Sequence, residues 1–241
     1  MVRLVRCLGD KHHLRQEVGD MPIRDEDIKV EVVKQLYWDS RVDASEIHVS
    51  VRSGEVTLEG FVPSFLSRQA VNEDARSVAG VVSVNNKVMV KISEGSATDA
   101  EIESHVKDIL KWNAAIDSDR ISVSVASGAV TLDGFVDSYW KKVYAEDLAG
   151  NLGSVVTVNN NLSVVPTKKA SDENIAAEIK SALERNASVD DDSVDVKVQH
   201  GVVTLSGSVG TWGARTSAFF AALYTSGVVY VDNRLSVGQM Q

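Results

Sequence analysis

The chain has 241 residues, 44% of them hydrophobic and 24% charged, with a formal charge of −9 and a single cysteine, Cys7. That balance is ordinary for a soluble globular protein; with no basic domain it argues against nucleic-acid binding, and with one cysteine it excludes a disulfide framework. No run of about 18 apolar residues offers a membrane-spanning helix, and Met1–Asp10 lacks the apolar core of a secretory signal. As it stands, the sequence is expected to be cytoplasmic.

Residues 1–24, which include His12 and His13, show neither helical nor strand periodicity and are expected to form a leader. From Asp25 onward the chain repeats itself. Gly54-Glu55-Val56-Thr57-Leu58-Glu59-Gly60 returns as Gly128-Ala129-Val130-Thr131-Leu132-Asp133-Gly134 and as Gly201-Val202-Val203-Thr204-Leu205-Ser206-Gly207, steps of 74 and 73 residues. A fixed period marks repeated supersecondary units. The predicted units are residues 25–92, 98–165 and 171–238, each large enough to fold alone but only marginally.

Within each unit the elements follow in one order. Acidic Asp25-Glu26-Asp27 opens a helix whose Ile28, Val32 and Leu36 recur at four-residue spacing. Ile102, Val106 and Leu110, then Ile175, Ile179 and Leu183, repeat that stripe. Alternating Ile47, Val49 and Val51 predict a half-buried strand, as do Ile121, Val123, Val125 and Val194, Val196, Val198. Ser53-Gly54, Ser127-Gly128 and His200-Gly201 supply hairpin turns, the glycine taking positive φ. The returning strand carries Val56 and Leu58 and is expected to end or bulge at Gly60. A second helix is predicted over 64–78, 138–152 and 211–225. A single closing strand is predicted over 81–90, 155–164 and 228–237. Polar linkers, Lys91–Ala97 and Pro166–Ala170, separate the units. The predicted class is α+β: three tandem helix-strand-strand-helix-strand modules, each a three-stranded mixed sheet with two helices on one face.

That element order, the Gly-x-Val-Thr-Leu-x-Gly strand and the closing Gly80-Val81-Val82-Ser83-Val84-Asn85-Asn86 resemble the BON domain, named for bacterial osmotically inducible and nodulation proteins. The resemblance covers residues 25–237; Ser154 replaces the closing glycine in the second copy, and Gly227-Val228 restores it in the third. It implies a small α/β module, used in tandem and often in the cell envelope, with phospholipid binding, membrane stabilisation under osmotic stress, or potassium binding among its members. By resemblance the location is periplasmic or membrane-peripheral.

The candidate binding residues are aromatic and lie off the core stripes. Trp38 and Trp112 sit about 120° from the centre of the buried stripe of their helices. Lys111 precedes Trp112, and Tyr139-Trp140-Lys141-Lys142 opens the second helix of the same repeat. Rings beside lysines suit a lipid headgroup region, and the third repeat carries Arg185 at the tryptophan position. The alternative is that these rings pack against a neighbouring repeat or edge the core. The net charge of −5 over residues 98–165 opposes anionic lipid, and each lysine contributes only about 1 kcal/mol at such a surface. The expected function is non-enzymatic binding of a phospholipid membrane surface or an envelope protein. The alternative is a cytoplasmic stress-related module binding potassium or a protein partner.

No catalytic, cofactor or metal motif is expected. His48, His105 and His200 fall at different repeat positions, and no serine-hydrolase, zinc-protease or phosphate-loop pattern occurs. Asp190-Asp191-Asp192 lacks the spacing and glycine of a calcium loop. Asn86, Asn160 and Asn233 recur in the closing strands and are expected to bond backbone. Gly207–Gly213 reads as a turn.

Overall fold

A computed structural model describes residues 23–91, 95–167 and 170–238. The leader expected over 1–24, with Cys7, His12 and His13, lies outside the described residues except for Ile23 and Arg24. The linker positions 92–94 and 168–169 also lie outside them.

The first repeat runs α1 (Asp25–Trp38), β1 (Ile47–Arg52), β2 (Glu55–Val62), α2 (Phe65–Ser77), β3 (Ser83–Asn86) and β4 (Met89–Val90). The second runs α3 (Asp99–Trp112), β5 (Ile121–Ala126), β6 (Ala129–Val136), α4 (Tyr139–Gly150), β7 (Thr157–Asn160) and β8 (Ser163–Val164). The third runs α5 (Asp172–Glu184), β9 (Val194–Gln199), β10 (Val202–Val209), α6 (Trp212–Leu223), β11 (Tyr230–Asn233) and β12 (Ser236–Val237). The fold is α+β as predicted.

The central strand of each sheet pairs antiparallel with the strand before it and parallel with the closing segments, Val49 opposite Leu58 and Val56 opposite Val84 in the first copy. Both amphipathic helices cover one face. Their stripes (Ile28, Val32, Leu36 and the two later sets) are buried against Val56 and Leu58 and their counterparts.

Two strand expectations need correction. Gly60 does not end β2, which continues to Val62 and pairs Phe61 with Met89. Gly60 stands opposite Ile47 with φ at 137°, and a β-carbon there would run into the Glu46 carbonyl. The close approach of two backbones is what requires glycine. The closing strand is interrupted: the Asn86 side chain accepts from the Val88 N–H at 3.0 Å and donates to the Arg68 carbonyl at 3.1 Å. Asn160 and Asn233 do the same, to Lys142 and Arg215. These amides fold the strand inward at Val88, Leu162 and Leu235, which are buried, and tie it to the second helix.

The hairpin turn is also held from a distance. Ser53 and Gly54 both take positive φ, 51° and 75°, as a type I′ turn demands. Their N–H groups donate to the Asp25 carboxylate at 2.8 and 3.0 Å. Asp99 and Asp172 bind the equivalent turns, 127–128 and 200–201. One carboxylate thus opens the first helix and fixes the hairpin.

The repeats close on one another. Phe65, Tyr139 and Trp212 occupy one register position, the first residue of the second helix. Phe65 leaves its own repeat and joins the core of the second, its backbone N–H donating to the Val155 carbonyl at 3.0 Å. Tyr139 joins the core of the third, edge-on to Tyr230 with ring centroids 5.5 Å apart. Trp212 returns to the first repeat, its indole N–H donating to the Val81 carbonyl at 2.9 Å. Val81 and Val155 are register equivalents, reached by a backbone N–H in one joint and an indole N–H in the other. Each repeat thus receives the aromatic residue of its neighbour at one register position, and the three head-to-tail joints close the repeats into a ring.

Candidate functional site

The C-terminal ends of the three first helices form one rim of that ring. In the second repeat, Thr98 and Glu101 make a reciprocal capping box at the start of α3, and Ile102, Val106 and Leu110 seat its inner face. Trp112 follows Leu110 by two residues, about 200° around the helix, and therefore points away from the core. Its side is 85% exposed, and that of Trp38 in the first repeat 82%. Tyr37, equivalent to Lys111, is 78% exposed. Lys111 is exposed beside Trp112.

The helix ends are fixed even though the rings are free. Asn113 accepts from the Ala115 N–H at 3.0 Å and donates to the Tyr144 hydroxyl at 2.9 Å. In the first repeat Arg41 forks onto Asp39, with contacts of 2.7 and 2.9 Å. In the third repeat Arg185 takes the tryptophan's place and is joined by Tyr224 and Phe220, both exposed, which share a shallow indentation with it. Each corner of the rim therefore presents at least one exposed aromatic ring.

The remaining residues predicted as binding groups do not join that rim. Tyr139 is buried in the joint with the third repeat, where burial first and then Tyr230 push its hydroxyl pKa upward. It packs against the neighbouring repeat, the alternative given for these rings, and is not an exposed ring. Trp140 is half-buried against the core of the third repeat and tilted onto Tyr144. Lys141 is bound to Asp137 at 2.8 Å and lies over the Trp140 ring at 5.7 Å. Lys142 is half-buried along the helix, its carbonyl receiving Asn160. The aromatic-lysine cluster read from the sequence is thus divided between the rim and a joint.

Trp212, read as part of a turn, is the ring-closing residue that the sequence reading missed, together with Phe65. The available signal was three different aromatic residues at one register position.

Beside the rim lies a buried carboxyl, Asp74, only 6% exposed. Burial, with Asp39 next to it, pushes its pKa up to about 6. Among the described residues no group of three or more histidine, cysteine or acidic side chains is arranged to hold a metal ion. No helix of the described residues is long and apolar enough to cross a membrane.

Three stretches, residues 24–92, 98–166 and 171–239, match the family model of the BON domain. The chain is similar to osmotically-inducible protein Y of Escherichia coli (strain K12), 32% identical over 143 residues, 57% of this chain and 71% of that protein. Among solved structures it is similar to CdsD, a structural protein of the Type III secretion system of Chlamydia trachomatis, at 12% identity over 89% of this chain and 94% of that one. The C-terminal domain of CdsD matches at 13% identity over 90% of this chain and all of its own. Both superpose with a TM-score of 0.25, at which no shared arrangement is inferred.

Proposed function

This chain belongs to the BON domain family, and on that premise we propose that it is a non-enzymatic binding protein of the phospholipid membrane surface, acting at the cell envelope in the response to osmotic stress. One observation carries the reading: exposed aromatic rings stand at all three corners of one rim, Tyr37 and Trp38, Trp112, and Phe220 with Tyr224. Single exposed apolar residues are ordinary. Three such sets, one from each repeat of a closed ring, give a surface three points of contact.

The energetics favour rings over charge. Fully burying an aromatic side chain of this class is worth about 1.5–3 kcal/mol, whereas each lysine adds about 1 kcal/mol at an anionic surface. With a net charge of −9 the protein gains little from anionic lipid as a whole. Three weak contacts fixed on one body bind together far more tightly than any one alone. The association is peripheral, by partial entry of the rings into the headgroup region. The relative's name supports the link to osmotic stress.

Co-sedimentation with phosphatidylcholine and phosphatidylglycerol vesicles tests this. Wild type is expected to pellet with both, with little salt dependence, and Trp112→Ala to pellet less. Wild type that stays in the supernatant removes the membrane function.

A further inference from the structure

The joint between the first and second repeats contains a cleft of about 560 Å³. Arg68, Gln69, Asn72 and Arg76 of α2 form one wall, with Glu146 and Thr157 of the second repeat opposite. The two guanidiniums are unusual in what they lack. Among the described residues neither forms an ion pair or a hydrogen bond, and the Arg76 Nε is buried with no partner. Arg215, at the register of Arg68, donates instead to the Leu235 and Asn233 carbonyls and serves the fold.

Both free guanidiniums are nevertheless held in place. Arg68 lies over the Phe65 ring at 5.1 Å, and Arg76 over the Trp212 ring at 4.7 Å. A guanidinium stacked on a ring keeps its edge free, and that edge is a planar fork of donors matched to phosphate oxygens. The supporting rings are those that close the ring of repeats, so the site is complete only when Phe65 sits in the second repeat and Trp212 on the first.

We propose that this cleft binds a phosphate-bearing ligand, with Arg76 and Arg68 at its two ends and the Gln69 and Asn72 amides between. The two arginines are eight residues apart on one helix, about 12 Å of rise, so a ligand with two anionic groups fits better than a single ion. Glu146 faces the cleft but is engaged by the Asn160 amide at 3.1 Å. Glu73, which attracts Arg76, is exposed, and Arg215 opposes it from the third repeat.

Fructose 1,6-bisphosphate, whose two phosphates are held apart by the sugar, and orthophosphate, each at fixed ionic strength, are the probes. A ligand that binds the folded state alone raises the unfolding midpoint with its concentration. The bisphosphate is expected to raise the midpoint of the full chain more than orthophosphate does. Arg76→Gln and Arg68→Gln should each lose that rise relative to their own ligand-free midpoints, and Trp112→Ala should keep it. Because the Arg68 guanidinium makes no hydrogen bond among the described residues, its variant guards against misreading a folding defect at Arg76. No rise in wild type, or a rise that both arginine variants retain, overturns the proposal. Vesicle pelleting by Arg76→Gln separates the sources of the phosphate: pelleting reduced with phosphatidylglycerol identifies a lipid headgroup, and undiminished pelleting a soluble phosphate compound.

Discussion

Phe65 of the first repeat lies so close to Gly150 of the second that a β-carbon at position 150 would come within 2.6 Å of its ring. The same position holds Leu223 in the third repeat and Arg76 in the first, where Arg76 faces Trp212. Each aromatic plug thus meets a different partner: phenylalanine a glycine, tyrosine an apolar core, tryptophan a cation. Three unequal joints fix which repeat follows which, and discriminate against misordered pairing by steric and chemical mismatch.

Gly150→Ala should therefore loosen the first joint. Overpacking of this kind costs about 1–3 kcal/mol. Thermal unfolding should show the loss, and Phe65→Leu added to Gly150→Ala should recover part of it. Equal stability of Gly150→Ala and wild type would mean that Phe65 is not seated there.

Asp99 accepts two backbone N–H groups of the hairpin turn across 28 and 29 residues of sequence. Asp99→Ala leaves both donors without that partner, a cost of about 1–2 kcal/mol, measurable by urea unfolding. At Asp172 the same bonds, from Gly201 first and His200 next, hold the carboxyl below its ordinary pKa. Its contribution is present above the ordinary carboxylate range and is lost as the pH falls through the folded-state value. Acid unfolding of Asp172→Asn should accordingly show a shallower pH dependence than wild type.

Asp74 works in the opposite direction. With its folded pKa raised to about 6, mainly by burial, it favours folding fully only below its unfolded pKa, and that advantage is lost as the pH rises through about 6. Asp74→Asn keeps a donor toward Asp39 and cannot ionise. It should exceed wild type by on the order of 1–2 kcal/mol near pH 8, with the difference vanishing near pH 4. A constant difference across that range would place the effect elsewhere.

Gly134 has φ at 130°, and a β-carbon there would run into the Arg120 carbonyl. Gly134→Ala should destabilise the second repeat by at least about 2 kcal/mol. Hydrogen exchange should show protection lost first around β5 and β6, because each repeat has its own core.

What could be read from the sequence follows from periodicity. Ile28, Val32 and Leu36 announce a helix because three residues share one face, and Val49 with Val51 announce a strand because two do. The register of Asn86, Asn160 and Asn233 identified a structural amide for a similar reason. Phe65, Tyr139 and Trp212 are one residue per repeat and satisfy nothing inside their own module, so no local pattern marks them. The sequence leaves Tyr139 either a surface ring or one packed against a neighbouring repeat, and the structure shows the second. The sequence leaves Gly60 a strand end or bulge because it does not reveal the Glu46 carbonyl that approaches it. Trp38 and Trp112 fall off the core stripe in sequence and structure alike, since a helical angle needs no tertiary partner. That they share a rim depends on ring closure, which lives in the joints.

The most direct measurement of the membrane claim is quenching of tryptophan fluorescence by brominated phospholipid in vesicles, using variants that retain one tryptophan each, the others replaced by phenylalanine. The account predicts strong quenching of the Trp38-only and Trp112-only proteins and little quenching of the Trp212-only protein, whose indole is held at the Val81 carbonyl. Absence of quenching at Trp38 and Trp112, or equal quenching at Trp212, would contradict it.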